Sequence, residues 1–269
     1  MQGEFDIKQV EERIRGTRFS GHLRHVFSVS STNQLALDAA AAGARAGVWV
    51  ADEQTAGRGR GGHSWHSVPG DGLYASALVT PRMPLAVAQS LPLATGLAVQ
   101  AAVLEETGLT LDLRWPNDLM FGILKCGGIL VESASESPSP DRSEAAPGLR
   151  YAVIGIGLNL NHASFPPDIA SVATSLFLES GRRFEREFIL AALLLHLDRE
   201  VAALQVEGTA RLYNRFVRAS SWVSGKRVRV EEGHGYTGIT RGLDDRGFLR
   251  VEDAQGQIRT VLSGGVRSA

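Results

Sequence analysis

Cysteine is almost absent from this sequence. Cys126 is the single cysteine among 269 residues, so a disulfide framework and a cysteine-based zinc site are both excluded. A chain without disulfides suits a reducing compartment. Residues 1–16 are charged and lack the apolar core of a signal peptide, and the longest apolar run, residues 188–197, is too short to cross a bilayer. These absences predict a soluble protein of the cytoplasm.

An excess of charge of either sign is missing as well. The 28 lysines and arginines are balanced by 29 aspartates and glutamates, which leaves a formal net charge of -1. Proteins that bind nucleic acids over a broad surface carry a positive excess, so this class is disfavoured, although a local basic patch stays open. Hydrophobic residues make up 43% of the chain, which is enough for a sizeable core.

Apolar periodicity and turn residues predict the order of elements. Helices are predicted over residues 31–42, 85–107, 184–205 and 208–218, and strands over residues 47–54, 73–81, 111–115, 127–133 and 149–160. The first helix has Ser31 or Thr32 as its N-cap and Gly43 as its stop. The second is expected to be irregular at Pro92, because proline lacks a backbone N–H.

The sequence changes character after Trp222, where short strands alternate with glycine turns. We expect about four strands there, which is typical of a small β-barrel. Two domains follow from this change, residues 1–220 and residues 221–269. Residues 133–148 are rich in serine and proline and are predicted to form a surface loop within the first domain.

A glycine-rich segment follows the predicted strand 47–54. Gly57, Gly59 and Gly62 spell G-x-G-x-x-G, but no helix follows and no acidic residue lies near position 82, so the dinucleotide fingerprint is rejected. A Walker loop is also rejected, because the chain has no G-x-x-x-x-G-K-[ST].

Two interpretations of this loop remain open from its residues alone. It is either a flexible turn with solvated arginines, or a cradle in which backbone N–H groups and the guanidinium groups of Arg58 and Arg60 bind an anion. Three further segments, RWPNDLM (114–120), Lys125 before a pair of glycines, and GIGLN (155–159), are each ordinary turns or strand ends when taken singly.

Five segments together, in this order, resemble the biotin protein ligases. They are STNQ (31–34), EQTAGRGRGGHSW (53–65), RWPNDLM (114–120), KCGGILVE (125–132) and GIGLN (155–159). The resemblance covers about residues 25–269. It implies an α+β fold, in which a mixed sheet flanked by helices, related to the core of class II aminoacyl-tRNA synthetases, precedes an SH3-like barrel. Residues 1–220 would be the catalytic, biotin/lipoate ligase-like domain.

The resemblance also implies a two-step reaction. Biotin and Mg²⁺-ATP give biotinyl-5′-adenylate and pyrophosphate, and the adenylate then biotinylates one lysine in the biotin carboxyl carrier domain of acetyl-CoA carboxylase or a related carboxylase. A carboxylate is already ionised near pH 7, so the first step needs charge relief and in-line placement instead of a base. For the second step, the acceptor amine would lose its proton to solvent or to Asp118.

Site residues are carried over from the resemblance by position. Ser31, Thr32 and Asn33 are expected to bind the ureido ring of biotin and neighbouring atoms, and Gln54 to line the same pocket.

The phosphate end is assigned in the same way. Arg58, Gly59 and Arg60 are expected to wrap the acyl-phosphate, and Lys125 to meet the biotin carboxylate and the α-phosphate. Arg58, Arg60 and Lys125 are therefore the expected catalytic residues.

The remaining assignments concern the nucleotide. Trp65 is expected to shield or stack on the adenine, Gly128 to line the site, and Asn117, Asp118 and Asn159 to contact ATP and its Mg²⁺. No dedicated protein site for the metal is expected, apart from a contribution from Asp118.

The chain departs from the common family pattern in two respects. Gly61 and His63 replace arginines of the usual G-R-G-R-R-G-R-x-W loop, which predicts weaker retention of the adenylate. Only about 25 residues precede the matching part, too few for the DNA-binding domain of the longer family members. We therefore expect a short-form ligase that binds neither DNA nor membranes, and the family habit implies a homodimer joined through sheet edges.

Three alternatives compete with this interpretation. A lipoate–protein ligase shares the fold, but its usual R-R-x-S-G-G-G loop is not found in this sequence. A non-catalytic biotin or nucleotide sensor would not need Arg58, Arg60 and Lys125. A nucleic-acid-binding protein is disfavoured by the balanced charge.

Overall fold

A computed structural model describes residues 5–136 and 147–269 of the chain. The architecture is α+β, as predicted: a seven-stranded mixed sheet flanked by helices is followed by a five-stranded antiparallel sheet. The helices are α1 (Ile7–Arg13), α2 (Thr32–Ala41), α3 (Leu85–Ala88), α4 (Leu91–Thr107), α5 (Leu176–Ser180), α6 (Arg186–Glu207) and α7 (Thr209–Ala219). The strands of the first sheet are β1 (Leu23–Val29), β2 (Gly47–Gln54), β3 (Gly72–Val79), β4 (Asp112–Arg114), β5 (Asp118–Phe121), β6 (Leu124–Ser135) and β7 (Leu149–Asn159).

The first sheet has the strand order β1-β2-β3-β7-β6-β5-β4. Its β1–β2 pair is parallel, with α2 as the crossover, and its other pairs are antiparallel. Strand β3 lies near the centre and all its residues are buried. Successive residues of a strand face opposite sides, so Leu78 packs under α2 together with Trp49, while Ala77 and Val79 join the larger core that includes α4 and α6.

The predicted helix over residues 85–107 is interrupted at residues 89–90, just before Pro92, where irregularity was expected. Helix α3 ends at Ala88, and α4 begins at Leu91 with Pro92 in its first turn, where the missing N–H of proline costs no hydrogen bond. The stretch Leu85–Thr107 is long and apolar enough to span a membrane by length and composition, and 67% of its most apolar window is buried inside the protein. This extent of burial is typical of a helix that packs in the core of a protein.

Helix α2 agrees with its predicted range, and its N-cap residue is Ser31 as predicted, but its first turn is satisfied by a different residue. The side chain of Ser31 makes no capping hydrogen bond. Instead, the backbone N–H of Thr32 donates to Oε1 of Gln54 at 2.9 Å, so a side chain from β2 satisfies the first turn of the helix. The start of α2 and the end of β2 are thereby joined at one point.

The C-terminal sheet contains one more strand than the sequence predicted. Its strands are β8 (Ser224–Val230), β9 (Tyr236–Leu243), β10 (Leu249–Asp253), β11 (Ile258–Val261) and β12 (Val266–Ser268), in the order β11-β10-β9-β8-β12. The extra strand is β12, which has only three residues and pairs with β8. Such a short strand carries too little alternation to be recognised in a sequence. Trp222, which precedes this sheet, is fully buried.

Other differences concern the ends and connections of the elements. The sequence reasoning assigned no structure to α1, β1 and α5. The serine- and proline-rich loop was predicted to begin at residue 133, but β6 continues to Ser135. Most of that predicted loop, residues 137–146, lies outside the described part of the chain.

Candidate functional site

Three glycines on neighbouring strands form the floor of the site. Gly128 of β6 is paired with Gly157 of β7, and Gly155 lies two residues earlier on the same face. A Cβ atom at Gly155 would overlap the amide of Asn33, and one at Gly157 would lie 2.5 Å from Cε2 of Trp65. Only glycine lets those two side chains lie against the sheet, which is the use of strand glycines that permits close approach.

Neutral polar side chains form one end of the site. Ser31, Thr32 and Asn33, at the start of α2, are all buried. Oγ1 of Thr32 donates to Oε1 of Gln54 at 3.1 Å. The hydroxyl of Ser76, on β3, lies 2.7 Å from Oγ1 of Thr32 and 2.5 Å from Oδ1 of Asn33. These bonds fix the orientation of the side chains before any ligand arrives.

The amide of Asn33 has a second partner on β6. Its Nδ2 donates to Oε2 of Glu132 at 2.8 Å. The same carboxylate oxygen accepts from Nη2 of Arg58 at 3.0 Å. Glu132 therefore connects the neutral end of the site with the arginine loop.

The glycine loop has a defined backbone in this structure. The N–H of Gly59 donates to the carbonyl of His63 at 2.6 Å, and the N–H of Trp65 donates to the carbonyl of Gly57 at 2.8 Å. Gly61 and Gly62, within a single 3₁₀ turn, have positive φ, which a side chain would disfavour. The guanidinium of Arg60 donates to the carbonyl of Gly264, so the loop reaches the C-terminal sheet.

Trp65 closes the site over the glycine floor. Its ring lies against Gly157 and Gly128, and Nζ of Lys125 is 5.7 Å from the ring centroid. Its indole Nε1 is buried without a hydrogen-bond partner among the described residues. A buried donor without a partner is costly, so this N–H is available to an acceptor that enters the site.

Lys125 is held by the partly buried carboxylate of Asp118. Its Nζ lies 2.5 Å from Oδ1 of Asp118, while Nη2 of Arg114 lies 2.8 Å from Oδ2 of the same residue. Burial alone would raise the pKa of Asp118, but the charges of Lys125 and Arg114 outweigh burial and keep that pKa below its ordinary value. Asp118 is thus an ionised anchor that orients Lys125.

These groups surround one cavity that opens to solvent. All the residues predicted for the site line it, except Asp118 and Asn159. The lining residues are Ser31, Thr32, Asn33, Gln54, Arg58, Gly59, Arg60, Trp65, Ala75, Asn117, Lys125, Gly128, Ile129, Leu130, Gly155, Ile156 and Gly157. Neutral polar groups and three cations thus meet in one space.

Asn159 and Asp118, the two predicted residues that do not line the cavity, both help to hold Lys125 in place. Asn159 is buried, and its Nδ2 donates to the carbonyl of Thr174 at 2.9 Å. The segment it secures brackets Lys125, whose N–H donates to Val172 and whose carbonyl accepts from Thr174. Asp118 acts on the same lysine through its side chain.

Sequence reasoning missed Ser76, Glu132, Gly155 and Gly157 as members of the site. The alternation G-x-G in residues 155–157 was a usable signal, because glycines at every second strand position leave one face of the strand without side chains. Nothing in the local sequence marked Ser76. Cys126 is buried, and burial raises the pKa of its thiol.

Profiles of known protein families match both parts of the chain. The profile of the biotin/lipoate A/B protein ligase family matches residues 26–142, and that of the biotin protein ligase C-terminal domain matches residues 223–266. The biotin–[acetyl-CoA-carboxylase] ligase of Mycobacterium tuberculosis is 33% identical over 253 residues, which cover 90% of this chain and 86% of that protein. The chain belongs to the biotin protein ligase family.

Other relatives agree with this membership. The bifunctional ligase/repressor BirA of Bacillus subtilis is 32% identical over 265 residues, covering 97% of this chain and 78% of that protein. Among solved structures, the biotin protein ligase of Aquifex aeolicus in complex with biotin and ATP has a TM-score of 0.76 and 28% identity, and the match covers 93% of this chain and all of that one. The members of this family are ligases, and the chain is an enzyme of that class.

Proposed function

We propose that this enzyme forms biotinyl-5′-adenylate from biotin and ATP and then transfers the biotinyl group to a lysine of a biotin carboxyl carrier domain. The proposal is carried by one observation: the same cavity has neutral hydrogen-bonding groups at one end and Arg58, Arg60 and Lys125 at the other. A ureido ring matches the first end, and a carboxylate joined to a phosphate matches the second.

The first step brings two anions together. A carboxylate oxygen of biotin attacks the α-phosphorus of ATP, a new O–P bond forms, and the bond to pyrophosphate breaks. Lys125 and the loop arginines offset the repulsion and the charge that develops on the phosphorus oxygens. Asp118 orients Lys125 through an ion pair with one carboxylate oxygen, while Arg114 pairs with the other.

The second step replaces AMP by an amine. The nitrogen of the carrier lysine attacks the acyl carbon, the carbon–oxygen bond to AMP breaks, and one proton leaves the nitrogen. Asp118 is a poor acceptor for that proton because its pKa lies below its ordinary value. We therefore assign the proton to solvent, and of the two routes considered from the sequence this one has the better support.

Magnesium would enter with the nucleotide. Among residues 5–136 and 147–269, no group of three or more histidine, cysteine, aspartate or glutamate side chains is placed to bind a metal ion. Both oxygens of Asp118 are engaged by cations. These residues do not fit a resident Mg²⁺ site, whereas triphosphate oxygens are the ligands this ion prefers.

We assign the protection of the adenylate from water to Trp65 and the glycine loop. A mixed anhydride must be kept from water, and the ring of Trp65 already lies over the glycine floor. We expect the adenine to displace or stack on this ring.

The partner, location and assembly follow from the same proposal. The partner is the carrier domain of acetyl-CoA carboxylase or a related carboxylase, and the location is the cytoplasm. A homodimer would use a sheet edge such as β1, where the side chain of Phe27 is exposed. We predict no binding to DNA, and a salt-sensitive gel shift would contradict this.

The test is transfer to a purified carrier domain. We expect the intact mass of the carrier to rise by one biotinyl group when the enzyme, biotin and Mg²⁺-ATP are present. A carrier with its acceptor lysine changed to arginine should gain no mass. Modification by lipoate in place of biotin would retain the fold and the reaction class but overturn the substrate. A carrier left unchanged by both acids would favour the sensor.

A further inference from the structure

Among residues 5–136 and 147–269, Glu132 is the one carboxylate in direct contact with both ends of the site. Its Oε2 accepts from Asn33 Nδ2 at 2.8 Å and from Arg58 Nη2 at 3.0 Å. It lies on the same face of β6 as Gly128 and Leu130, which both line the cavity. A negative charge beside a site for anions opposes binding, so its presence needs an explanation.

We propose that Glu132 is a positioning residue with two separable roles in the ligase site. It sets the orientation of the Asn33 amide through its acceptor oxygen, and it holds Arg58 by its charge until the phosphate of the adenylate replaces it. The inference rests on the proposed function, because it takes biotin and its adenylate as the ligands.

The first role follows from the partners of Asn33. Oδ1 accepts from the hydroxyl of Ser76, and Nδ2 donates to Glu132, so the two sides of the amide face different partners. The other acceptor near Nδ2, the carbonyl of Leu130, is 3.4 Å away. Asn33 is only 4% exposed, and an amide without its acceptor in such a place loses its preference for one orientation.

The second role follows from exposure. The side chain of Arg58 is 42% exposed and that of Glu132 is 29% exposed. Ion pairs of this kind are weak, so an arriving phosphate, which also forms charge-assisted bonds with guanidinium, can exchange with the carboxylate. Until then, the pair keeps Arg58 beside the neutral end of the site.

The two roles are tested by two variants and two probes. Glu132→Gln keeps an acceptor for Asn33 and removes the charge, whereas Glu132→Ala removes both. Biotinol, the alcohol of biotin, is an uncharged probe of the neutral end. Its phosphodiester with AMP is a stable anionic probe of the whole site. Calorimetry gives the affinity of each probe for each variant.

We expect biotinol to bind Glu132→Gln within twofold of the unchanged enzyme and Glu132→Ala about five- to tenfold more weakly, because only the alanine variant leaves Asn33 without its acceptor. We expect the phosphodiester to bind Glu132→Gln about two- to fivefold more tightly, because its phosphate no longer competes with a carboxylate. That gain should shrink at high salt and vanish in an Arg58→Gln background.

Glu136→Gln is the matched control, because it removes an exposed carboxylate four residues further along the chain. It should bind both probes like the unchanged enzyme. Equal weakening of biotinol binding by both Glu132 variants would overturn the orienting role, and an unchanged or weaker phosphodiester affinity in Glu132→Gln would overturn the exchange role. An unchanged enzyme that binds neither biotin nor biotinol would overturn the proposed function itself, which distinguishes the two failures.

Discussion

The two ends of the cavity are built in different ways. At the neutral end, Thr32, Asn33, Gln54 and Ser76 are bonded to one another, and all but Gln54 are buried. At the cationic end, each charge is tied to a protein acceptor outside that group: Arg58 to Glu132, Arg60 to the carbonyl of Gly264, and Lys125 to Asp118.

This difference indicates how the site divides its work. A preformed neutral end selects a ligand by shape and hydrogen bonds at little reorganisation cost. We propose that the cationic end, whose partners are replaceable, exchanges those partners for a phosphate that enters the site. We therefore expect substitutions at the neutral end to lower the affinity for biotin. Substitutions at the cationic end should lower the rate of the chemical step.

The largest effect should come from Lys125. We expect Lys125→Gln to lower the rate of biotin-dependent pyrophosphate exchange about 10²- to 10³-fold, because the charge facing the reacting phosphate is lost. Biotinol should bind with unchanged affinity. Lys8→Gln, at an exposed position on α1, is the control and should behave like the unchanged enzyme. If Lys125→Gln lowered the biotinol affinity and the rate of pyrophosphate exchange by the same factor, the two ends would not differ in function.

The next effect concerns the glycine floor. Gly155→Ala places a methyl group where the amide of Asn33 lies, so we expect the dissociation constants of biotin and biotinol to rise about 10- to 100-fold. Gly96→Ala is the matched control, since its Cβ would meet Leu113 at 3.6 Å, an ordinary contact. Unchanged biotinol affinity in Gly155→Ala, measured by calorimetry, would show that the neutral end is not preformed as described.

A smaller effect is expected from Arg60. Its contact with the carbonyl of Gly264 is replaceable, so Arg60→Gln should lower the rate of pyrophosphate exchange about tenfold and leave biotinol affinity unchanged. Arg246→Gln, an exposed arginine on the turn before β10, serves for comparison. A tenfold loss of biotinol affinity in Arg60→Gln would contradict the separation of the cationic end from the neutral end.

The smallest effect concerns pH. The pKa of Asp118 is lower in the folded protein than its ordinary value of about 3.9. Its stabilising contribution is therefore complete above that ordinary value and is lost only as the pH falls through the lower folded pKa. We expect the thermal midpoints of the enzyme and of Asp118→Asn to differ by a constant amount between about pH 5 and 8. A difference that changed through this range would mean that Asp118 titrates there and does not anchor Lys125 as an ion.

The sequence predicted the parts of this site better than their connections. Strand β2 was predicted residue for residue, and the loop, Lys125 and Gly128 were placed in one site through the family resemblance. The partnership of Arg58 with Glu132 spans 74 residues. It depends on the register of β6 against β7, and local periodicity does not determine which strands pair or in what register.

Asp118 and Asn159 also show that residues of the site are easier to predict from sequence than the contacts they make. Both were expected to contact ATP, because the resemblance gives a residue type and a position in a motif but no side-chain direction. Their partners, Lys125 and Thr174, lie on separate elements that the fold brings together. Whether either residue also touches bound nucleotide stays a prediction.

Adenylate formation is tested most directly by the exchange of labelled pyrophosphate into ATP with Mg²⁺ present, carried out with biotin, with lipoate and with neither acid. We expect exchange with biotin alone, because the reversal of adenylate formation requires the acid that the neutral end is proposed to bind. Exchange with lipoate alone, or no exchange with either acid, would contradict this expectation.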